Sequence, residues 1–157
     1  KDSKFMKPIQ TAINGAEKQG DLTLPIHALT QFYYAFNNRD IKTMALNWDN
    51  SEDIAMDNPL GGIKRGWGEV KGVYERIFNG SARVYVEFYD YTIHAAKEIF
   101  YVVGRERGNL QIGDTKIDLA IRTSRIFRLA NGKWRQVHHH GSIDNPELLR
   151  RYQDAVR

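Results

Sequence analysis

The feature that most constrains this chain is a change of period at Ala82. Before it, apolar residues recur at helical spacing; after it they alternate. Val84, Val86 and Phe88 alternate with Arg83, Tyr85, Glu87 and Tyr89. Ile99, Tyr101, Val103 and Arg105 alternate with Phe100, Val102, Gly104 and Glu106. A third stretch puts Ile117, Leu119, Ile121, Thr123, Arg125, Phe127 and Leu129 on one face. Asn131-Gly132 is a hairpin turn, because both residues tolerate positive φ, and the strand Lys133–Gly141 returns from it. Helices followed by long antiparallel strands predict an α+β fold, with the helices on one face of a curved sheet.

The helical half is punctuated by cap and turn chemistry. Pro8 to Lys18 reads as a short helix weakened by Gly15. Thr23 is placed to cap a helix with Pro25 in its first turn. Its stripe is Leu29, Phe32, Tyr33 and Phe36. Asp40 is placed to cap a helix from Ile41 to Trp48. Ile54–Asp57 is a short strand, and Asn58-Pro59-Leu60-Gly61-Gly62 is a turn. Trp67 to Phe78 is a third helix, with Asn79-Gly80 expected to stop it as a left-handed cap. Asn145-Pro146 opens a last helix to about Val156. With 157 residues, one domain spans 1–157, with 1–22 as a helical N-terminal extension and 143–157 as a C-terminal helix.

Composition narrows the function. The chain carries 23 Lys+Arg against 19 Asp+Glu, a net charge of +4. These basic residues are scattered rather than gathered, which argues against nucleic acid. No apolar run approaches the length of a membrane helix. The absence of cysteine excludes disulfides and thiol chemistry. It suits the cytoplasm, our first expectation, or the periplasm; the chain starts at Lys1, which leaves room for a removed signal peptide.

Arg125 is the chemical anomaly, a charge on an otherwise apolar strand face. It calls for an acid, Asp57 or Glu98, or for a pocket in which its fork binds an anion. Arg105 has a similar profile. Tyr33, Tyr101 and Trp48 are aromatic candidates for a cavity wall. Asp57, at the mouth, is a candidate general base. His138-His139-His140 cannot converge on one ion, since neighbours on a strand alternate faces, and no metal or other cofactor is expected. On an unbroken strand Trp134, Gln136, His138 and His140 share one face, and Arg135, Val137, His139 and Gly141 the other.

The run from Arg122 to Ser142, with an Arg on the penultimate strand, a Gly-Lys-Trp hairpin and a Val-His-His-His-Gly-Ser ending, resembles the nuclear transport factor 2-like superfamily. That superfamily includes SnoaL-like cyclases, ketosteroid isomerases and the association domain of calcium/calmodulin-dependent protein kinase II. Ala35–Asp40 and Asn58-Pro59-Leu60-Gly61 are similar to the family's turns. The resemblance implies a cone-shaped, cystatin-like fold, helices packed in a strongly bent sheet, and a homodimer through the outer sheet face. In the isomerases an Asp directly precedes Pro; here Asn58 fills that place and the acid is Asp57. Phe32 stands where the isomerases carry a tyrosine. The association-domain resemblance makes Arg125 and Arg105 ligand-binding arginines, with Gly141 where a third would stand.

These readings predict a pocket protein for an acidic or polar-aromatic small molecule, bound by Arg125, Arg105, Tyr33, Tyr101, Trp48 and Asn58. An alternative is a metal-independent cyclase, isomerase or dehydratase using Asp57 and His139 as catalytic groups. A second is an assembly module whose interface is Trp134, Gln136, His138 and His140. The last strand then decides the register: His139 should face the cavity near Arg125, Trp134 and His138 should be covered by a partner, and Gly141 should leave extra room.

Overall fold

The computed structural model describes residues 5–157. The elements run α1 (Pro25–Asn37), α2 (Ile41–Asn47), β1 (Ala55–Asp57), β2 (Lys64–Arg65) and α3 (Gly66–Asn79). They continue with β3 (Arg83–Ala95), β4 (Ile99–Ile112), β5 (Thr115–Ala130), β6 (Lys133–Ser142) and α4 (Pro146–Val156). One sheet has the order β2-β1-β6-β5-β4-β3. β1 runs parallel to β6, and every other pairing is antiparallel.

The hairpin between β5 and β6 turns at Asn131 and Gly132, both at positive φ (52° and 77°), as a two-residue turn matched to strand twist requires. Two bulges bend the long strands. On β3 the register breaks at Asp90-Tyr91, where Asp90 has φ 50°. On β6 it breaks at Val137, which has no partner between Ile126↔His138 and Phe127↔Gln136. A bulge adds a residue to one strand and sharpens its local twist. The helices fill the resulting hollow. Phe32, Tyr33 and Phe36 of α1 and Val70, Val73, Tyr74 and Ile77 of α3 are buried against Phe88, Phe100 and Phe127. The Asp40 carboxylate caps α2 by accepting from the Thr43 amide at 3.0 Å. Asn145 caps α4 through the Glu147 and Leu148 amides, and α4 sends Tyr152 and Val156 into the core.

Three local expectations fail. Residues 5–22 contain no helix. Ile9 and Ile13 instead bridge to Tyr91 and Phe88 on edge strand β3, supplying partners to backbone groups that an open edge leaves bare. Gly15 is part of the reason: it has φ 92°, and a Cβ there would lie 2.2 Å from the Tyr34 amide nitrogen. The cap of α1 falls on Leu24, because the Thr23 hydroxyl donates to Asp21. Gly80 ends α3 at φ −74°, in extended rather than left-handed backbone.

Candidate functional site

Alternation along β4 and β5 places Glu106 and Arg125 on the inner face of neighbouring strands. Both are buried. Arg125 Nη2 donates to Glu106 Oε2 at 3.0 Å, and Nη1 donates to Gln136 Oε1 at 2.8 Å. Gln136 in turn donates to Asn47 Oδ1 at 2.9 Å, and the Tyr33 hydroxyl donates to Glu106 at 2.6 Å. The guanidinium carbon lies 3.6 Å from the centroid of the Phe32 ring, a cation–π contact. Phe32 is therefore a stacking face for this cation. Arg125 Nε has no hydrogen-bond partner among the described residues.

This setting biases every titratable group nearby. Burial opposes the Arg125 charge, yet Tyr33, Glu106 and Tyr74 hold its pKa above the ordinary arginine value. Burial, then Glu106, pushes the Tyr33 phenol well up. Burial pushes the Tyr74 phenol up to about 12. His139 is buried on the inner face beside Arg125, its Cα partner across β5–β6. Burial first, and then the Arg125 charge, pushes its imidazole well below the ordinary value of 6.5. A neutral His139 donates from Nδ1 to the Ser124 carbonyl at 3.2 Å, since a carbonyl only accepts.

Phe32, Phe36, Tyr74, Tyr152, Arg125 and His139 line a small inner cavity, which Glu106, Met56, Asn58 and Pro59 also reach. Its free volume is about 40 Å³. Tyr152 of α4 belongs to that lining, and the Gln153 amide donates to the Pro59 carbonyl at 3.0 Å, fixing α4 to the turn after β1. Gly141 adds no room. A Cβ there would meet Pro59 Cδ at 3.0 Å and the His139 ring at 3.2 Å, so those two side chains already occupy the space. Asn58 lines the cavity and also turns its own loop, accepting from the Leu60 amide at 3.1 Å.

The other candidates lie elsewhere. The acid beside Arg125 is Glu106, not Asp57 or Glu98. Asp57 is on the outer face, where it accepts from His140 Nδ1 at 2.9 Å and lies 3.8 Å from His138 Nε2. It shares no space with His139 and Arg125. Arg105 is also outside, paired with Asp90 at 3.1 Å, and Tyr101 stacks on His94 there. Trp48 is a fully buried core residue. The largest correction concerns β6. Val137 is the bulge residue, so the alternation skips one step. Trp134 and Gln136 therefore face inward with His139 and Gly141, while His138 and His140 face outward. Trp134 is covered by its own chain, edge-on to Phe100 and donating from Nε1 to the Thr23 carbonyl at 3.0 Å. It needs no partner subunit.

Sequence reasoning missed Glu106, Asn47, Tyr74 and Tyr152. Glu106 was detectable: it follows Phe100, Val102 and Gly104 at period two. The alternate face, Ile99, Tyr101 and Val103, is equally apolar, and alternation alone does not say which of two such faces is inner.

Among the described residues, no group of three His, Cys, Asp or Glu side chains is arranged to hold a metal ion, and no helix is long and apolar enough to cross a membrane.

Comparison with known proteins agrees with this architecture. A search of solved structures matches a protein from Thiobacillus denitrificans described as a calcium/calmodulin-dependent protein kinase type II association domain. The match has 25% identity and a TM-score of 0.66, covering 81% of this chain and 100% of that one. It also matches a protein described as a dehydratase of the NTF2-like family from Streptomyces avermitilis. That match has 22% identity and a TM-score of 0.65, covering 73% of this chain and 89% of that one. Among curated proteins, the F-box protein SKIP8 of Arabidopsis thaliana is 24% identical over 139 residues, 85% of this chain. The chain spans only 55% of that relative's length. The SnoaL-like domain model matches residues 26–146, most of the chain, from the first residues of α1 to the start of α4. On that match, and with its helices cupped in the bent sheet, the chain belongs to the SnoaL-like domain family.

Proposed function

We propose that this chain is a non-covalent binding domain for a small, uncharged, polar-aromatic molecule received in the inner cavity beside Arg125 and His139. The observation that carries this reading is the state of Arg125. Its charge is already matched by Glu106, while its Nε remains an unpartnered donor among the described residues. An acidic ligand would bring a second negative charge beside Glu106, whereas a neutral acceptor satisfies Nε at no such cost. Phe32, Phe36 and Tyr74 supply ring faces. The free volume of about 40 Å³ holds little more than one water, so an aromatic ligand enters by displacing Tyr152 of α4. Asp57 lies on the opposite face of the sheet from Arg125 and His139, and this weighs against a cyclase, isomerase or dehydratase in which the three share one reaction.

The test is calorimetric titration of the protein and of Tyr152→Ala with benzamide, phenol, benzoate and succinate. The expected result is saturable binding of benzamide or phenol, at least tenfold tighter in Tyr152→Ala. Preference for benzoate or succinate, or no binding of a neutral ring by either protein, overturns the reading.

A second reading, self-association through the outer sheet face, has its own observation. Ile99, Tyr101 and Val103 lie in a row on that face with 45%, 44% and 48% of their surface exposed. Charged pairs border them, Arg105–Asp90 and Arg128–Asp49 among them. An apolar centre with a polar rim is the anatomy of a protein interface. Sedimentation should give a dimer or larger species that Tyr101→Glu dissociates; a monomer at 50–100 μM, roughly the range where weak homodimers persist, rejects it.

A further inference from the structure

We infer that the outer sheet face carries a second ligand site, separate from the inner cavity: a cleft for a small oxyanion, bridged by Arg105 and Arg122. The two arginines are direct Cα partners across β4 and β5. Like charges directly opposite on antiparallel strands repel and destabilise the pairing. Each is drawn aside by an exposed acid: Arg105 Nε to Asp90 at 3.1 Å, and Arg122 Nη2 to Asp144 at 2.9 Å. Exposed ion pairs of this kind are weak and exchange readily. Each guanidinium also keeps donors outside its pair, Nη1 and Nη2 on Arg105 and Nε and Nη1 on Arg122.

Between and beside them the sheet forms an open cleft of about 520 Å³. Its wall continues along β5 and β6 with Ser124, His140 and Ser142, and β3 adds Thr92. Ser124 is the Cα partner of His140, and Arg122 that of Ser142, so a hydroxyl stands across from an imidazole and another across from a guanidinium. His140 is oriented by Asp57, which accepts from its Nδ1 at 2.9 Å. The carboxylate can only accept, so Nδ1 carries the proton and the ring's other nitrogen is left unengaged by that contact. Two guanidiniums with several hydroxyls in reach match an anion with several acceptor oxygens. Phosphoryl and carboxylate groups both meet that description. Val103 and Pro8 on the same wall leave apolar surface for the body that carries the anion.

The experiment is an amide NMR titration of the whole chain with sodium phosphate, sodium succinate and sodium chloride at matched ionic strength. The expected result is saturable shifts at Ser124, His140 and Ser142 with phosphate, succinate or both, the stronger response naming the anion. Arg122→Gln and Arg105→Gln should each weaken that binding at least tenfold. Both side chains are exposed, and the unchanged remainder of each spectrum verifies the fold. Shifts that follow chloride without saturating, or binding unaltered in both variants, overturn the proposal.

Discussion

Arg105 and Arg125 sit on hydrogen-bonded strands, and each has an acid about 3 Å away. They differ in the face they occupy. Arg125 is buried among rings, its charge held by Glu106, Gln136 and Phe32. Arg105 projects into solvent on the other face, paired there with Asp90. Glu106 follows Arg105 directly in the chain, so a single step of the pleat separates a fixed internal charge pair from an exchangeable external one. Desolvation makes the difference. A buried pair is costly to break because each charge depends on the other, while water replaces either member of an exposed pair. The inner face thus uses charge to define one arrangement, while the outer face leaves its charge exchangeable with solvent.

The strongest way to break this contrast is to move residues between faces. Deleting Val137 removes the bulge on β6, so that either Trp134 and Gln136 or His139 and Gly141 must turn outward. We expect loss of the cooperative urea transition; a native-like transition would show that the bulge does not set the faces. Next comes Arg125→Met, which strands Glu106 in the core and should cost ~3–5 kcal/mol by urea denaturation. Adding Glu106→Gln in the same chain should recover part of that loss. Tyr33→Phe removes one donor to the buried carboxylate and should cost ~1–3 kcal/mol.

How far the sequence reveals these faces can be judged residue by residue. The helix stripes, the alternation of the long strands and the Asn131-Gly132 turn are legible because each depends on local periodicity or backbone preference. The anomaly of Arg125 is legible for the same reason: it interrupts an apolar row. Its partner is not, because Ile99, Tyr101 and Val103 imitate a core face, and only the sheet's curvature and the helices above it decide which side closes. The outward turn of His138 and the inward turn of Trp134 depend on one unpaired residue, Val137, which carries no bulge signature such as glycine. The N-terminal strand bridges at Ile9 and Ile13 answer the need of a distant edge, which local helix preference does not record.

His139 gives a smaller, pH-dependent test. Its imidazole is held below its unfolded value of 6.5, so the unfolded chain takes up the proton first. The stability tied to neutral His139 is complete above about pH 6.5 and falls as the pH drops toward the folded value, by up to ~1.4 kcal/mol per pH unit. Urea denaturation from pH 7 to 5 should show this slope, and His139→Asn should flatten it. A slope unchanged in the variant would place the titration elsewhere. The smallest effect is expected for Arg105→Gln, whose denaturation midpoint should match that of the parent chain, since its pair is exposed.

The central claim, that the same ion-pair chemistry is fixed on one face and exchangeable on the other, is tested most directly by two double-mutant cycles measured side by side. One combines Arg125→Met with Glu106→Gln, and the other Arg105→Gln with Asp90→Asn. The account predicts a coupling of ~2 kcal/mol or more for the buried pair and none resolvable for the exposed pair. Equal coupling in the two cycles, or a larger value on the outer face, would contradict it.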